Sequence, residues 1–162
     1  MEGEAYHRQV KETLTYMVSQ AEVSVRQLIT PDMPPRQQLF YYQKAAGLYE
    51  ILLDGRYGGI FEGSLVWDYM HCASLLVELD RQAEADAYME KIFAVWDRHL
   101  NARESIQISD LLFIKGYPKM KHPGISFTQQ MQKMLEEPRL VSYHKKIQDY
   151  LTRYSDCFKI KI

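Results

Sequence analysis

The chain has 162 residues, a formal net charge of −1, 46% hydrophobic and 25% charged residues, which suits one folded domain with its own core. The balanced charge gives no basic surplus, so we expect no direct nucleic-acid binding. No apolar run approaches the roughly 18 residues of a membrane span, and two cysteines are too few for a disulfide framework. With no signal-peptide pattern at the N-terminus, these features predict a cytoplasmic protein.

Apolar periodicity predicts two helices in the first third of the chain. The first runs from about Glu4 to Leu28 and carries an apolar stripe: Tyr6, Val10, Leu14, Met17, Ala21, Val25 and Leu28. Prolines at positions 31, 34 and 35 end it, because proline cannot continue a helix. The second helix runs from about Arg36 to Leu53, and its inner stripe is Leu39, Tyr42, Ala46, Tyr49 and Leu53.

Two further amphipathic patterns between residues 61 and 100 meet at the short turn Asp80-Arg81-Gln82, which predicts an antiparallel helix pair. The stripe before the turn is Leu65, Tyr69, Cys72, Ala73, Leu76 and Leu79. The stripe after it is Ala85, Tyr88, Met89, Ile92, Val95, Trp96 and His99. Ala73 and Ala85 are small enough to let the two backbones approach closely. Such a pair is the unit of helical-repeat proteins, which usually bind other molecules.

The C-terminal third is less regular. Breakers between residues 115 and 124 predict a loop, Ser126 is a candidate N-cap for a short helix, and Pro138 interrupts that helix. A last helix is predicted from about Leu140 to Tyr154. Residues 157–162 alternate like a strand without a partner, so we expect a C-terminal tail at 155–162 after a single domain at 1–154. The whole chain is predicted to be all-α, with about six helices.

Residues 69–92 resemble the tetratricopeptide repeat, a helix-turn-helix unit of about 34 residues. The matching positions are Tyr69, Cys72, Ala73, Leu76, Ala85, Met89 and Ile92. Asp80 replaces the family's glycine before the turn, and Asp97 stands where a proline would close the repeat. The resemblance implies a short antiparallel helical array that winds as a right-handed superhelix.

A wider resemblance rests on residues 52–58 (LLDGRYG) and 134–139 (MLEEPR). These segments look like the C-terminal region of helix-turn-helix (XRE-type) transcription regulators of Firmicutes, in which a helical array senses a ligand, often a peptide, or dimerises. The resemblance implies that this chain is the regulatory part of such a regulator. The alternative is a freestanding helical module that self-associates as a homodimer.

The repeat alignment gives candidate binding residues for a protein or peptide partner. Five residues fall at positions that tetratricopeptide proteins turn toward their concave surface: Trp67, Met70, Ser74, Val77 and Glu78. Tyr41 is a further candidate, because it falls off the inner stripe of its helix. The alternative is that the next helical element, or a second subunit, covers this face.

No motif in the sequence points to catalysis. His71 and Cys72 are adjacent, so on a helix they point about 100° apart and cannot converge on one ion or proton. We expect a buried thiol and a surface histidine. Glu62 and Asp68 could be taken as paired carboxylates, but nothing indicates the pocket that acid–base chemistry needs. We therefore expect no enzyme activity, no metal site and no cofactor. An unrecognised helical enzyme would need a polar pocket.

Overall fold

The computed structural model describes residues 2–53, 61–101 and 133–158. These ranges form five long α-helices, a helical turn at residues 133–136 and a 3₁₀ turn at Pro138–Leu140, with no strand. The long helices are α1 (Glu2–Arg26), α2 (Pro35–Leu53), α3 (Phe61–Glu78), α4 (Gln82–Asn101) and α5 (Val141–Phe158). The all-α prediction is confirmed, and the right-handed superhelix stays a prediction. None of the described helices has the length and apolar character needed to cross a membrane.

Consecutive helices pack as neighbours: α1 against α2, α2 against α3, and α3 against α4. The predicted proline break separates the first two. Pro35 occupies the first position of α2, where a missing N–H leaves no helical hydrogen bond unmade. The Gln38 side chain donates to the Met33 carbonyl at 2.8 Å and fixes the entry to α2.

The turn between α3 and α4 is held by backbone hydrogen bonds. The N–H of Asp80 donates to the Val77 carbonyl at 3.1 Å, and that of Arg81 donates to the Leu76 carbonyl at 2.9 Å, the bond pair of a Schellman motif. Asp80 itself has a φ of 56°, in the left-handed region that favours glycine. Asp80 thus takes the left-handed conformation that ends many helices without being a glycine.

α3 is the central helix of the core. From Ser64 to Val77, every residue except His71 and Ser74 is buried. Ala73 and Ala85 are fully buried where α3 meets α4, as the small-residue prediction requires. The predicted inner stripe of α2 is confirmed for Leu39, Tyr42, Ala46 and Tyr49, which are buried, but at its end Leu52 is buried in place of the predicted Leu53. A helix that is apolar all round is expected to be covered on all sides, and α3 follows this rule.

The start of α5 contacts the α3–α4 turn. Arg139 donates through Nη1 to the Val77 carbonyl at 2.6 Å and to Asp80 Oδ1 at 3.2 Å. The Tyr143 hydroxyl donates to Asp86 Oδ1 of α4 at 2.8 Å, and Ile147 is fully buried. This end of α5 is therefore anchored to the second helix pair.

α5 continues to Phe158 and so passes the domain boundary predicted after residue 154. The predicted tail is helical as far as it is described. Most of the short helix predicted after Ser126 lies outside the described residues. So do residues 159–162 and the side chains of Trp96 and His99, the last members of the stripe predicted after the turn.

Candidate functional site

The side of α1 that packs against the other helices is charged in its second half. Glu22 is fully buried and Arg26 is 7% exposed. Arg26 donates two hydrogen bonds to Glu22, from Nε to Oε1 and from Nη2 to Oε2, the latter at 3.0 Å. The four-residue spacing puts both side chains on one side of the helix, so the pair forms within α1 itself.

Asp68 of α3 joins this pair, and we call Glu22, Arg26 and Asp68 the buried ionic cluster. Asp68 is fully buried, and its Oδ1 lies 4.0 Å from Arg26 Nε. As a carboxylate Asp68 finds no hydrogen-bond donor among the described residues, and with a proton on one of the two groups it forms a hydrogen bond with the Glu22 carboxyl. Two carboxyl groups therefore share a single guanidinium between α1 and α3.

The charge count of the buried ionic cluster favours a bound proton. Full ionisation would leave one uncompensated carboxylate in the interior, which is costly. Burial raises the pKa of Asp68 well above its usual 3.8, the Glu22 carboxylate raises it further, and Arg26 offsets only part of this. Burial opposes the charge of Arg26, but Glu22 and then Asp68 hold the pKa of its guanidinium above its usual value. This arrangement favours the protonated form of Asp68 beside the charged Arg26.

Aromatic rings from α2 and α3 lie next to the buried ionic cluster. Tyr42 stacks on His71, with ring centroids 4.3 Å apart and planes 1° from parallel, and Trp67 meets His71 edge-on at 4.9 Å. The expectation of a surface histidine is wrong, because α2 covers this side of α3 and leaves His71 half-buried. The expectation of a buried thiol is confirmed for Cys72, and burial raises its pKa.

The buried ionic cluster is closed to solvent. Its three residues are at most 7% exposed, so no substrate reaches them in this arrangement. No three His, Cys, Asp or Glu residues of the described part of the chain form a group that could hold a metal ion. The arrangement can store a proton and hold two helices together.

The opposite side of α1 is apolar and faces solvent. The exposed fraction is 66% for Tyr6, 44% for Val10, 61% for Met17 and 55% for Leu28. An apolar stripe ordinarily faces the core, so the exposure of this one is a departure from the usual amphipathic pattern. The periodic stripe of the sequence is present, but it is not the surface that α1 buries.

We call the exposed surface around Tyr6, Val10 and Met17 the outer face of α1. At about 100° per residue, every charged residue from Glu4 to Arg26 projects on the half of the helix that contains Glu22. These residues are Glu4, Arg8, Lys11, Glu12, Glu22 and Arg26. Between residues 4 and 26 the outer face therefore carries no charged side chain. An open groove of about 450 Å³ runs along it, lined by Tyr6, Gln9, Val10, Thr13, Leu14 and Met17.

The predicted binding residues do not form one exposed surface. Trp67, Met70 and Val77 are 3%, 0% and 1% exposed, because they belong to the central helix. Ser74 and Tyr41 are half-buried, and Glu78 is exposed at the end of α3. In this arrangement a partner reaches only the last three of these, and their role in binding stays a prediction.

The buried ionic cluster was not identified from the sequence, although a signal for it is present. Asp68 is the only charged residue between Glu62 and Glu78, in a helix that is otherwise apolar. A single carboxyl there requires a buried partner. The Glu22–Arg26 pair is less distinctive, because four-residue charge pairs are common on solvent-exposed helices.

Comparison with family models, with curated proteins and with solved structures gives no match to this chain. The resemblance to tetratricopeptide repeats and to helix-turn-helix regulators therefore stays a prediction from the sequence.

Proposed function

We propose that this chain is a non-enzymatic helical module that binds another protein through the outer face of α1. The single observation that carries the proposal is the exposure of Tyr6, Val10 and Met17 on an uncharged helix face. Apolar patches of this kind mark protein contact sites on folded proteins. Exposure of a continuous stripe costs free energy in water, and a docked partner removes that cost.

The geometry of the outer face suits a helical partner segment. Tyr6, Val10, Leu14 and Met17 recur at four- and three-residue steps along α1, the spacing with which one amphipathic helix meets another. The lack of charge means that burial of apolar side chains, and not ion pairing, supplies the affinity. Met17 adds an adaptable side chain, of the kind common at peptide-binding surfaces.

The proposal moves the binding site from α3 to α1. The residues proposed from the repeat pattern lie largely in the core, whereas the α1 stripe is the surface left accessible. A sensor role within a helix-turn-helix regulator rests on the sequence resemblance alone. A coding stretch for a DNA-binding domain directly upstream of residue 1 would support that role, and a stop codon there would remove it.

Site-specific photo-crosslinking tests the docking surface. A photoreactive phenylalanine analogue replaces Val10 on the outer face, and the matched control carries it at Ile51, a 60% exposed apolar residue of α2. After illumination in cells, we expect discrete protein adducts from position 10 and none from position 51. The absence of any protein adduct at position 10, with the variant folded, would contradict the proposal.

A second candidate is self-association through the same face. One observation favours it. In a two-fold dimer the same face of each copy meets, so a charged residue near the axis would lie beside the identical charge of the second copy, and the exposed stripe of α1 has no charged residue between positions 4 and 26. Sedimentation velocity over a range of concentrations tests this. We expect a dimer that Met17→Glu disrupts and Ile51→Glu does not. A wild-type chain that stays monomeric at every concentration eliminates the second candidate and leaves the first standing.

A further inference from the structure

α1 is held to the rest of the fold mainly along its second half. Residues 3–13, in the first half of α1, are exposed throughout. In the second half of α1 and the turn that follows it, the buried residues are Val18, Glu22, Arg26 and Ile29. Two of these four carry charge, and both belong to the buried ionic cluster. The attachment of α1 therefore depends on the protonation state of that cluster, whereas a helix held by apolar contacts alone would not respond to protonation.

Protonation sets the charge balance of the buried ionic cluster. With a proton on one carboxyl, the cluster contains one carboxylate and one guanidinium and is neutral. Without that proton, Glu22 and Asp68 are both negative beside Arg26, the one cation that the described residues place at the cluster, in an interior that screens charge poorly. The second state carries a buried, unpaired negative charge between α1 and α3.

We propose that the buried ionic cluster is a proton-dependent latch, in which a proton on Asp68 keeps the second half of α1 on α3 and its loss releases that half. The proton passes to a base in solvent, and no covalent bond between heavy atoms changes. Release exposes Glu22 and Asp68 to water, where both are stable as carboxylates. It also changes how α1 presents its outer face to a partner.

The direction of the effect follows from the raised pKa of Asp68, which has burial as its first cause and Glu22 as its second. An aspartate whose folded-state pKa is raised contributes full stability below its unfolded-state pKa, near 3.8. That contribution is lost as pH rises through the folded-state pKa. The attachment of α1 is therefore strongest in mild acid and weakens toward alkaline pH.

Other titratable groups face the buried ionic cluster and must be separated from it. Tyr42 and Tyr49 approach it from α2, and His71 and Cys72 lie beside Asp68 on α3. Burial, and behind it Asp68, raise the pKa of both the Tyr42 hydroxyl and the Cys72 thiol, so these two stay protonated through neutral pH. Histidine in general titrates near neutral pH, so His71 needs its own control.

Hydrogen exchange read by mass spectrometry tests the latch. Protection factors, corrected for the intrinsic pH dependence of exchange, are compared between residues 15–26 of α1 and residues 85–95 of α4. In the wild-type chain we expect α1 protection to fall relative to α4 by up to about tenfold for each pH unit between the released-state pKa of Asp68, near 3.8, and its raised folded-state pKa, and to level off above the latter. An unchanged ratio from about pH 5 to about pH 9 overturns the proposal.

Two variants and two controls make the test specific. Asp68→Asn is a neutral copy of the protonated acid, and Glu22→Gln leaves one carboxyl for one guanidinium, so both should keep α1 protected at every pH. Either variant carries the test if the other fails to fold. His71→Phe and the exposed Glu84→Gln should retain the wild-type pH dependence. A pH-dependent fall that persists in Asp68→Asn, or that disappears in His71→Phe, overturns the proposal.

Discussion

α3 buries apolar residues on nearly every side, whereas α1 buries two charged residues and leaves its apolar stripe in solvent. Both are long helices with clear apolar residues, yet α3 contributes most of its apolar residues to the core, whereas Val18 is the one buried apolar residue of α1 among those described. The difference lies in their neighbours. α3 packs against both α2 and α4, while α1 packs against α2 and reaches α3 through the buried ionic cluster. An element at the end of a stack keeps one side uncovered, and in α1 that side is apolar.

Substitutions in α3 and in the buried part of α1 lower the free energy of unfolding for different reasons. Removal of an apolar side chain from α3 creates a cavity, and the cost depends on how well the site collapses. Removal of a charged partner from α1 leaves the other charges buried without compensation, which costs more than the pair itself contributes. The two regions should therefore respond differently to substitutions that look equally conservative.

Arg26→Met should have the largest effect. Methionine fills much of the arginine volume but leaves Glu22 and Asp68 buried without a cation, so we expect a loss of about 3 to 5 kcal/mol in the free energy of unfolding. Denaturant unfolding at neutral pH measures this loss. The control is Arg81→Met at the exposed Arg81–Glu84 pair, which should unfold like the wild type. Equal effects of the two substitutions would contradict the role given to the buried ionic cluster.

A pair of methionines gives the next largest contrast. Met70 of α3 is fully buried and Met17 of α1 is 61% exposed. Met70→Ala should cost about 2 to 5 kcal/mol through the cavity it leaves, and Met17→Ala should stay within about 0.5 kcal/mol of the wild type. Denaturant unfolding of both variants checks this. A destabilising Met17→Ala would mean that the α1 stripe packs inside the fold.

Asp80→Gly should give the smallest change, and in the opposite direction. Asp80 has a left-handed φ of 56°, and glycine relieves that strain by up to about 1 kcal/mol. The substitution also removes an exposed ion pair with Arg139, which offsets a small part of the gain. Thermal unfolding should show a higher Tm for Asp80→Gly and a lower one for Asp80→Ala, which keeps the strain and loses the pair. A lower Tm for both variants would contradict the strain argument.

The periodicity of the sequence was sufficient for the helices and for the α3–α4 contact. The ends of α2 and the burial of Leu39, Tyr42, Ala73 and Ala85 follow from local spacing and from proline and small-residue positions. Apolar spacing, prolines and small residues determine structure over a few neighbouring positions, so they can be recognised in the sequence without knowledge of the tertiary contacts.

Periodicity could not decide which side of α1 is covered. A stripe at helical spacing marks one face of a helix, but the neighbouring element that covers a face comes from elsewhere in the chain. The same limit applies to Trp67 and Met70, which the repeat pattern assigns to a concave surface and the structure places in the core. Asp68 is the residue whose burial the sequence did signal, through its isolation in an apolar helix.

Methionine oxidation tests the exposed α1 stripe most directly. The chain, held dilute enough to be free of partners, is treated briefly with hydrogen peroxide, and peptide mass spectrometry follows each methionine. Because Met17 is exposed, we expect it to oxidise rapidly, while Met70 and Met89, both fully buried, are spared. Protection of Met17 to the level of Met70 in the monomer would show that α1 packs its apolar stripe inward, and would contradict the proposed docking surface.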